Sequence, residues 1–416
     1  MIDRALLKQS IDEWMNFYRR QRGSLIKRTA PTLPTKDIAS AIIGVRRSGK
    51  TSIAIESDSE QLSQNVFYYN FEDPLFYAGA DLNNLDSLIS IASEYSENKI
   101  KHLILDEIQN VDGWERWLRK IIDQKQFRVT VTGSSAKLLS SEIATSLTGR
   151  TIQSTIWPLS FKEFLKFKGN NSCDRLDLLN SFREFMTHGG FPEVVLSDDL
   201  NFKKRLLRQY LNDITHKDIV NRYSIRNKKV LDSIILYYIS NISSLHSYTS
   251  LNKAFGADVE TISDYTQALE DSFLIFELSR FHRNLKVQKR DSRKIYCVDT
   301  GMRNASSRSL SDDTGKLLEN IVYIELRRNE LDIYYYKGEK EVDFLVTENM
   351  KPIKAIQVCA LEMQTEKTRD REISALMECL TEFSLKEGLI ITLDHEEKIE
   401  LGSKTIWCVP AYKWLS

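Results

Sequence analysis

At 416 residues the chain is longer than one hydrophobic core usually spans, so two or three domains are expected. Hydrophobic residues make up 42% and charged residues 28%, the composition of an ordinary soluble protein rather than a disordered one. Lys+Arg and Asp+Glu both number 58, which excludes an overall basic bias, so any nucleic-acid surface must be a local patch.

The five cysteines (Cys173, Cys297, Cys359, Cys379 and Cys408) are scattered without C-x-x-C spacing. That pattern argues against a disulfide framework or a zinc site and for a reducing cytoplasm. No apolar run approaches transmembrane length, and Met1-Ile2-Asp3-Arg4 begins no signal peptide. A cytoplasmic protein with no membrane partner is the expectation.

Residues 1–36 read as an amphipathic helix and a basic connector. Leu6, Ile11, Trp14, Met15, Phe17 and Tyr18 form a helical stripe, followed by Arg19-Arg20-Gln21-Arg22 and Lys27-Arg28. Charge runs are usually solvated faces, so a helix lying on the next domain is preferred to a nucleic-acid arm.

Residues 37–157 hold the most informative stretch, Gly44-Val45-Arg46-Arg47-Ser48-Gly49-Lys50-Thr51, which fits G-x-x-x-x-G-K-[ST] without a mismatch. The apolar run 38–43 before it suits a buried parallel strand, and 52–57 after it can open a helix. Two glycines let the backbone curl so that the N–H groups of Gly44, Arg46, Arg47, Ser48, Gly49, Lys50, Thr51 and Ser52 cradle phosphates. The helix N-terminus adds partial positive charge. Lys50 would reach the β- and γ-phosphates and Thr51 would ligate Mg²⁺. For the side chains of Arg46 and Arg47, solvent-facing charge and contact with a neighbouring subunit's nucleotide are both open.

A second strand spans 65–71 and a helix spans 83–97. The apolar strand after them delivers Asp106 and Glu107 at its C-terminal end, where open α/β sheets place their ligands. Asp106 would hold the Mg²⁺ shell through water, and Glu107 would act as general base on the attacking water. A further helix at 114–122 precedes a strand at 127–135 with a polar tip. Ser134, with Ser135 close behind, is the candidate sensor of the γ-phosphate; a serine N-cap for a helix at 136–139 carries equal weight. Arg150 could contact the γ-phosphate in cis or, given self-association, in trans, and a surface ion pair is the alternative.

From 158 to 227 the chain turns helical. Phe161, Phe164, Leu165 and Phe167 form a core stripe, His188-Gly189-Gly190-Phe191-Pro192-Glu193 a turn, and Lys203, Lys204, Arg205 and Arg208 a basic face. Residues 228–305 have the pattern of a winged helix-turn-helix, with helices at 231–239, 248–256 and 259–269 and wing strands at 273–278 and 294–298. Between Asp258 and Asp271 there are five acids and no Lys or Arg, which suits neither phosphates nor guanine edges. The stretch 283–294 is the reverse, with Arg283, Lys286, Lys289, Arg290, Arg293 and Lys294 against Asp291 alone. DNA contact would therefore run through this basic wing, and a domain used for packing or protein contacts is preferred.

Residues 306–416 place Glu319 on a helix at 315–326, Asp343 on a strand pair at 332–337 and 341–346, and Gln357 and Cys359 on the next strand. Helix-Glu, strand-Asp and a strand with E-x-K assemble the metal site of restriction-type nucleases. Gln357 and Cys359 replace the last two groups. An amide and a thiol are poor partners for Mg²⁺, so a nuclease-like fold without efficient cleavage is expected. Lys337 or Glu341 could substitute in space.

These residues together resemble prokaryotic AAA-like ATPases that carry a winged helix and a C-terminal nuclease-like domain. The resemblance rests on the loop 44–51, Leu105-Asp106-Glu107-Ile108-Gln109, Thr132-Gly133-Ser134-Ser135 and Leu147-Thr148-Gly149-Arg150. It extends to Pro158-Leu159-Ser160-Phe161-x-Glu163-Phe164, the His188–Glu193 turn and Glu341-Val342-Asp343-Phe344. It implies an α/β fold: a P-loop ATPase core with a parallel sheet, then helical and winged-helix segments and an α/β nuclease-like domain. It also implies ATP as the nucleotide.

Overall fold

Five short runs in Met1–Ile156 become the five parallel strands of one sheet. The computed structural model describes residues 2–28, 34–56, 65–77, 82–95, 99–134, 147–170, 174–223, 225–307, 313–360 and 365–416. Among these the chain forms two compact units, Met1–Ile156 and Trp157–Ser416.

In the first unit, helix α1 (Arg4–Arg22) starts where the Asp3 carboxylate accepts from the Ala5 and Leu6 amides. It buries Leu7, Ile11 and Tyr18, and Tyr18 stacks on Tyr68 of the sheet at 6.0 Å. The N-terminal helix therefore lies on the core, as its stripe suggests. Strand β1 (Ala39–Ile43) leads through the glycine-rich loop into α2 (Lys50–Glu56). Then come β2 (Val66–Asn70), the short α3 (Pro74–Tyr77), α4 (Leu82–Tyr95), β3 (His102–Asp106), α5 (Trp114–Asp123), β4 (Arg128–Gly133) and β5 (Thr151–Thr155).

The sheet order is β2-β3-β4-β1-β5, so β4 lies between the loop-bearing strand and the Asp106 strand. Register pairs Ile43 with Gly133 and Leu105 with Val131, which brings the loop, Asp106 and Ser134 to one edge. Strands β1 and β3 are buried along their whole length, as parallel strands covered on both faces must be.

The second unit opens with helices α6 (Phe161–Phe167), α7 (Arg175–His188), α8 (Pro192–Leu196) and α9 (Leu200–Asp213). Ser160 and Glu163 close a reciprocal capping box on α6, and Phe161 and Phe164 pack on Phe185. The turn after α7 has a steric reason. Gly189 has φ +76°, and a Cβ there would meet the Asp299 carboxylate at 2.0 Å. Asp299 accepts from the Gly190 amide at 2.7 Å, while a Cβ on Gly301 would strike the His188 carbonyl at 2.0 Å. The His-Gly-Gly turn is thus a close backbone crossing.

Next come α10 (Lys228–Ser240), β6 (Ser244–His246), α11 (Tyr248–Phe255), α12 (Val259–Asp271), β7 (Ile275–Leu278), α13 (Leu285–Arg290) and β8 (Arg293–Cys297). The three strands form an antiparallel sheet in the order β6-β8-β7. Residues 285–290, read as part of an extended wing, are helical; Asn284 caps them by accepting from the Lys286 amide at 2.9 Å.

After α14 (Thr300–Ser306) and α15 (Thr314–Arg328), strands β9 (Asp332–Lys337), β10 (Glu341–Glu348) and β11 (Lys351–Cys359) follow. Helix α16 (Glu366–Glu382), β12 (Glu387–Thr392), β13 (Glu397–Leu401), β14 (Lys404–Pro410) and α17 (Ala411–Trp414) complete the unit. The last three strands extend the sheet beyond the pattern read from sequence, giving six strands in the order β13-β14-β12-β11-β10-β9. Leu376, Cys379 and Leu380 of α16 pack on Val342, Leu345, Ile390 and Ile406. Cys359 joins that core, so its thiol serves packing.

Candidate functional site

The glycine-rich loop is built by backbone geometry that few residues tolerate. Gly44 has φ +143°, and a Cβ there would overlap the Ile156 carbonyl at 2.1 Å. Gly49 has φ +95° at the mouth of α2. Ser48 is fully buried, and its hydroxyl finds no hydrogen-bond partner among the described residues. Lys50 is 4% exposed; its ammonium donates to the Val45 carbonyl at 3.2 Å and lies 3.8 Å from Glu107 Oε1. Ser52 is half-buried in the first turn of α2.

Asp106 is the hub. Thr51 donates to its Oδ2 at 2.8 Å, Tyr68 at 2.8 Å and Asn70 at 3.2 Å, while Thr132 donates to Oδ1. Burial first, and the neighbouring Glu107 second, raise the pKa of Asp106 above the usual carboxylate range. Glu107 follows in the left-handed region at φ +53°, with its amide donating to Thr132 Oγ1 at 3.0 Å and its carboxylate accepting from the Gln109 amide. Two adjacent carboxylates thus have separate surroundings. Asp106 is tied to Thr51 of the loop, and Glu107 faces Lys50.

Of the remaining predicted groups, Ser134 is buried directly after β4 at the same edge. Ser135 and the helix expected at 136–139 lie outside the described residues. Arg46 does not face solvent; it pairs with Glu72 at 2.7 Å, whereas Arg47 is exposed. Arg150 is not brought to the loop of its own chain. Its carbonyl accepts from the Ala39 amide at 2.8 Å, at the start of β1, and its guanidinium pairs with Asp123 at 2.8 Å. The full length of β1 separates it from the phosphate-loop edge, so the cis contact considered from sequence is corrected.

In the second unit, Glu319 and Asp343 do converge, but around an unexpected partner. Lys294 of β8 lies 2.8 Å from Asp343, 2.9 Å from Glu341 and 3.1 Å from Glu319, and is 3% exposed. Its place in a DNA-facing wing is therefore corrected. Arg293 is likewise engaged, with Glu277 and Tyr248. Lys337 reaches only Glu341, at 3.9 Å. Gln357 points its amide oxygen at the Asp343 N–H (3.1 Å) and donates to Glu372 at 2.7 Å.

A bulge explains how Asp343 turns inward. Register between β9 and β10 shifts between Val342 and Leu345, opposite Tyr335. Tyr335 instead pairs its backbone with Ser279 and Phe281, beyond β7, so the three-stranded sheet meets the six-stranded one beside the cluster.

The chain is 37% identical to an uncharacterized protein of Methanocaldococcus jannaschii, over all of this chain and 96% of that one. The chain belongs to the family of that archaeal protein. An uncharacterized protein of Haemophilus influenzae is 33% identical over 74% of this chain and 79% of its own length. Family models match an AAA domain at residues 36–165 and domains of unknown function at 179–313 (DUF8612) and 314–414 (DUF4143). The N-terminal unit is thus an AAA-type, ATPase-like α/β domain, and a separate β-rich domain follows at the C-terminus. Among solved structures, the Aeropyrum pernix ORC1 protein in complex with DNA overlays with a TM-score of 0.29 at 14% identity, covering 73% of this chain and 92% of that one. Among the described residues no helix is long and apolar enough to cross a membrane.

Sequence reasoning missed Tyr68, Asn70, Thr132, Arg28 and Lys294. The first three were within reach: Tyr68 and Asn70 alternate on β2, and Thr132 shares a strand face with Ser134. Arg28 donates to the Ser48 carbonyl at 2.6 Å from 20 residues away, and no local pattern announces it.

Proposed function

We propose that the N-terminal unit binds ATP with Mg²⁺ and hydrolyses it to drive a conformational switch. The observation that carries this reading is the hydrogen bond from Thr51 to Asp106, which joins the loop's hydroxyl to the carboxylate of β3 at 2.8 Å. The residues present fit the ligand. The buried Ser48 hydroxyl has no partner among the described residues, Gly49 opens the loop, and Thr51 with Asp106 supplies the oxygens a hard cation prefers.

Bound ATP and Mg²⁺ would supply the γ-phosphoryl group and the positive charge that offsets the charge developing on it. The loop amides and Lys50 would hold the phosphates, while Thr51 and Asp106 would hold the cation. Glu107 accepts a proton from the attacking water, and Gln109 and the Thr132 hydroxyl fix its position. Ser134 senses the γ-phosphate from the tip of β4. Gly44 abuts Ile156, the last residue of this unit, so a change in the loop is felt where the chain leaves the sheet.

Phosphate release by the wild type and by Lys50→Ala tests the reading. The variant should lose turnover; equal rates would overturn it.

The second unit is read as the part that engages a target. Three helices (α10, α11, α12) with the β6-β8-β7 sheet have the makings of a winged helix, and the six-stranded sheet with α15 those of a nuclease-like fold. Burial of Lys294 and engagement of Arg293 weaken the DNA-facing wing, which favours a nucleotide-gated protein-interaction module. Turnover measured with and without DNA separates the two, since strong stimulation by DNA would refute the module.

A further inference from the structure

The carboxylates of Glu319, Glu341 and Asp343 come from α15 and β10, yet all three meet one nitrogen from β8. Oxygen ligands converging this way ordinarily take a hard divalent cation. Here the contact distances of 2.8, 2.9 and 3.1 Å are those of ammonium hydrogen bonds. Mg²⁺ needs oxygens at about 2.0–2.1 Å in an octahedron, and the ammonium leaves no such space.

Two of the three carboxylates also have further donors. Asp343 Oδ2 accepts from the Val358 amide at 3.0 Å, and Glu319 Oε1 accepts from Tyr296 at 2.7 Å as well as from Lys294. Gln357 turns its oxygen to the Asp343 amide. Burial pulls the lysine pKa down, but Asp343, Glu319 and Glu341 outweigh it and hold it well above the usual value, so the group stays charged. Tyr296, two residues on, stacks on Tyr323 at 3.9 Å, and Asn320 closes paired hydrogen bonds of 2.8 Å with the backbone of Cys297. The strand that carries Lys294 is therefore held rigidly on α15.

We propose that Lys294 is the built-in cation of this cluster, an ammonium held where convergent carboxylates would otherwise take a divalent metal, so that the C-terminal unit binds none there. The cluster is a cation-independent clasp between β8, α15 and β10. It goes beyond the ATPase reading and does not depend on it.

Mn²⁺ titrated into the nucleotide-free full chain, with free Mn²⁺ followed by electron paramagnetic resonance, tests this. Wild type and Asp343→Asn should bind Mn²⁺ identically; a wild-type site that Asp343→Asn removes would overturn the proposal. Lys294→Ala should melt about 5–10 °C lower in EDTA. It should also gain a Mn²⁺ site about tenfold tighter than anything in the wild type, with the melting temperature restored by the metal. A folded Lys294→Ala that gains no Mn²⁺ site, or melts with the wild type, counts against it. Should that variant not fold, the comparison of wild type with Asp343→Asn decides alone.

Discussion

Thr132 stands between Asp106 and Glu107, donating its hydroxyl hydrogen to the first carboxylate and accepting the backbone N–H of the second at 3.0 Å. One side chain on β4 thereby fixes two adjacent acids on β3. Their different environments suit two different tasks, a cation holder and a proton acceptor.

Glu107→Gln should separate those tasks. The amide cannot take a proton from water, so turnover should fall about 10²–10⁴-fold. Nucleotide affinity should change little, because Lys50, Thr51 and Asp106 remain. Single-turnover hydrolysis alongside fluorescent-nucleotide binding checks it; equal losses in both would contradict the assigned role.

Thr132→Val keeps the shape of the side chain and removes both hydrogen bonds. A buried carboxylate oxygen and the Glu107 amide each lose a partner, which should cost about 1–3 kcal/mol in the unfolding of the N-terminal unit. Turnover should fall alongside, as Glu107 loses its anchor. Urea denaturation followed by Trp fluorescence reads the stability, and an unshifted midpoint would show that the bridge is dispensable.

Gly301→Ala tests the crossing under the His-Gly-Gly turn. Its Cβ would meet the His188 carbonyl carbon at 2.2 Å and oxygen at 2.0 Å, both backbone atoms that cannot step aside cheaply. Destabilisation of about 2 kcal/mol or more is expected, against a smaller loss for Gly402→Ala, since nothing lies within 4 Å of that position. The φ of +61° at Gly402 still adds some strain of its own, so the two melting temperatures should fall in that order.

Acid lability should appear at Glu397. The Arg369 guanidinium lowers its pKa from 4.5 to about 2, against burial and with help from His395. The folded value lies below the unfolded one, so this stabilisation is complete above pH 4.5 and fades as pH falls from 4.5 toward 2. Wild type should outlast Arg369→Met in unfolding at neutral pH, with the gap closing through that window. A gap unchanged across it would remove the pair as the cause.

Much of the N-terminal site was legible because its signals are local. A glycine-rich curl between a strand and a helix occupies eight successive residues, and Asp106-Glu107 closes an apolar run. The sheet order gave these residues a common edge, and the alternation of Tyr68 with Asn70 would have completed the shell. Arg150 takes the ion-pair alternative, with Asp123, because adjacency to a strand says nothing about which end of the sheet it occupies. Lys294 misled because a basic stretch looks like a surface until its partners are known.

Sequence alone determined the glycine-rich loop and the acidic end of the strand beside it, since backbone curvature and strand burial depend on neighbours within a few residues. Only the tertiary structure decided that Arg46 pairs with Glu72, that Arg28 reaches Ser48, and that Lys294 closes on Glu319, Glu341 and Asp343. Those contacts join segments separated by 20 to 49 residues, and their energies depend on desolvation and distance that no periodicity records.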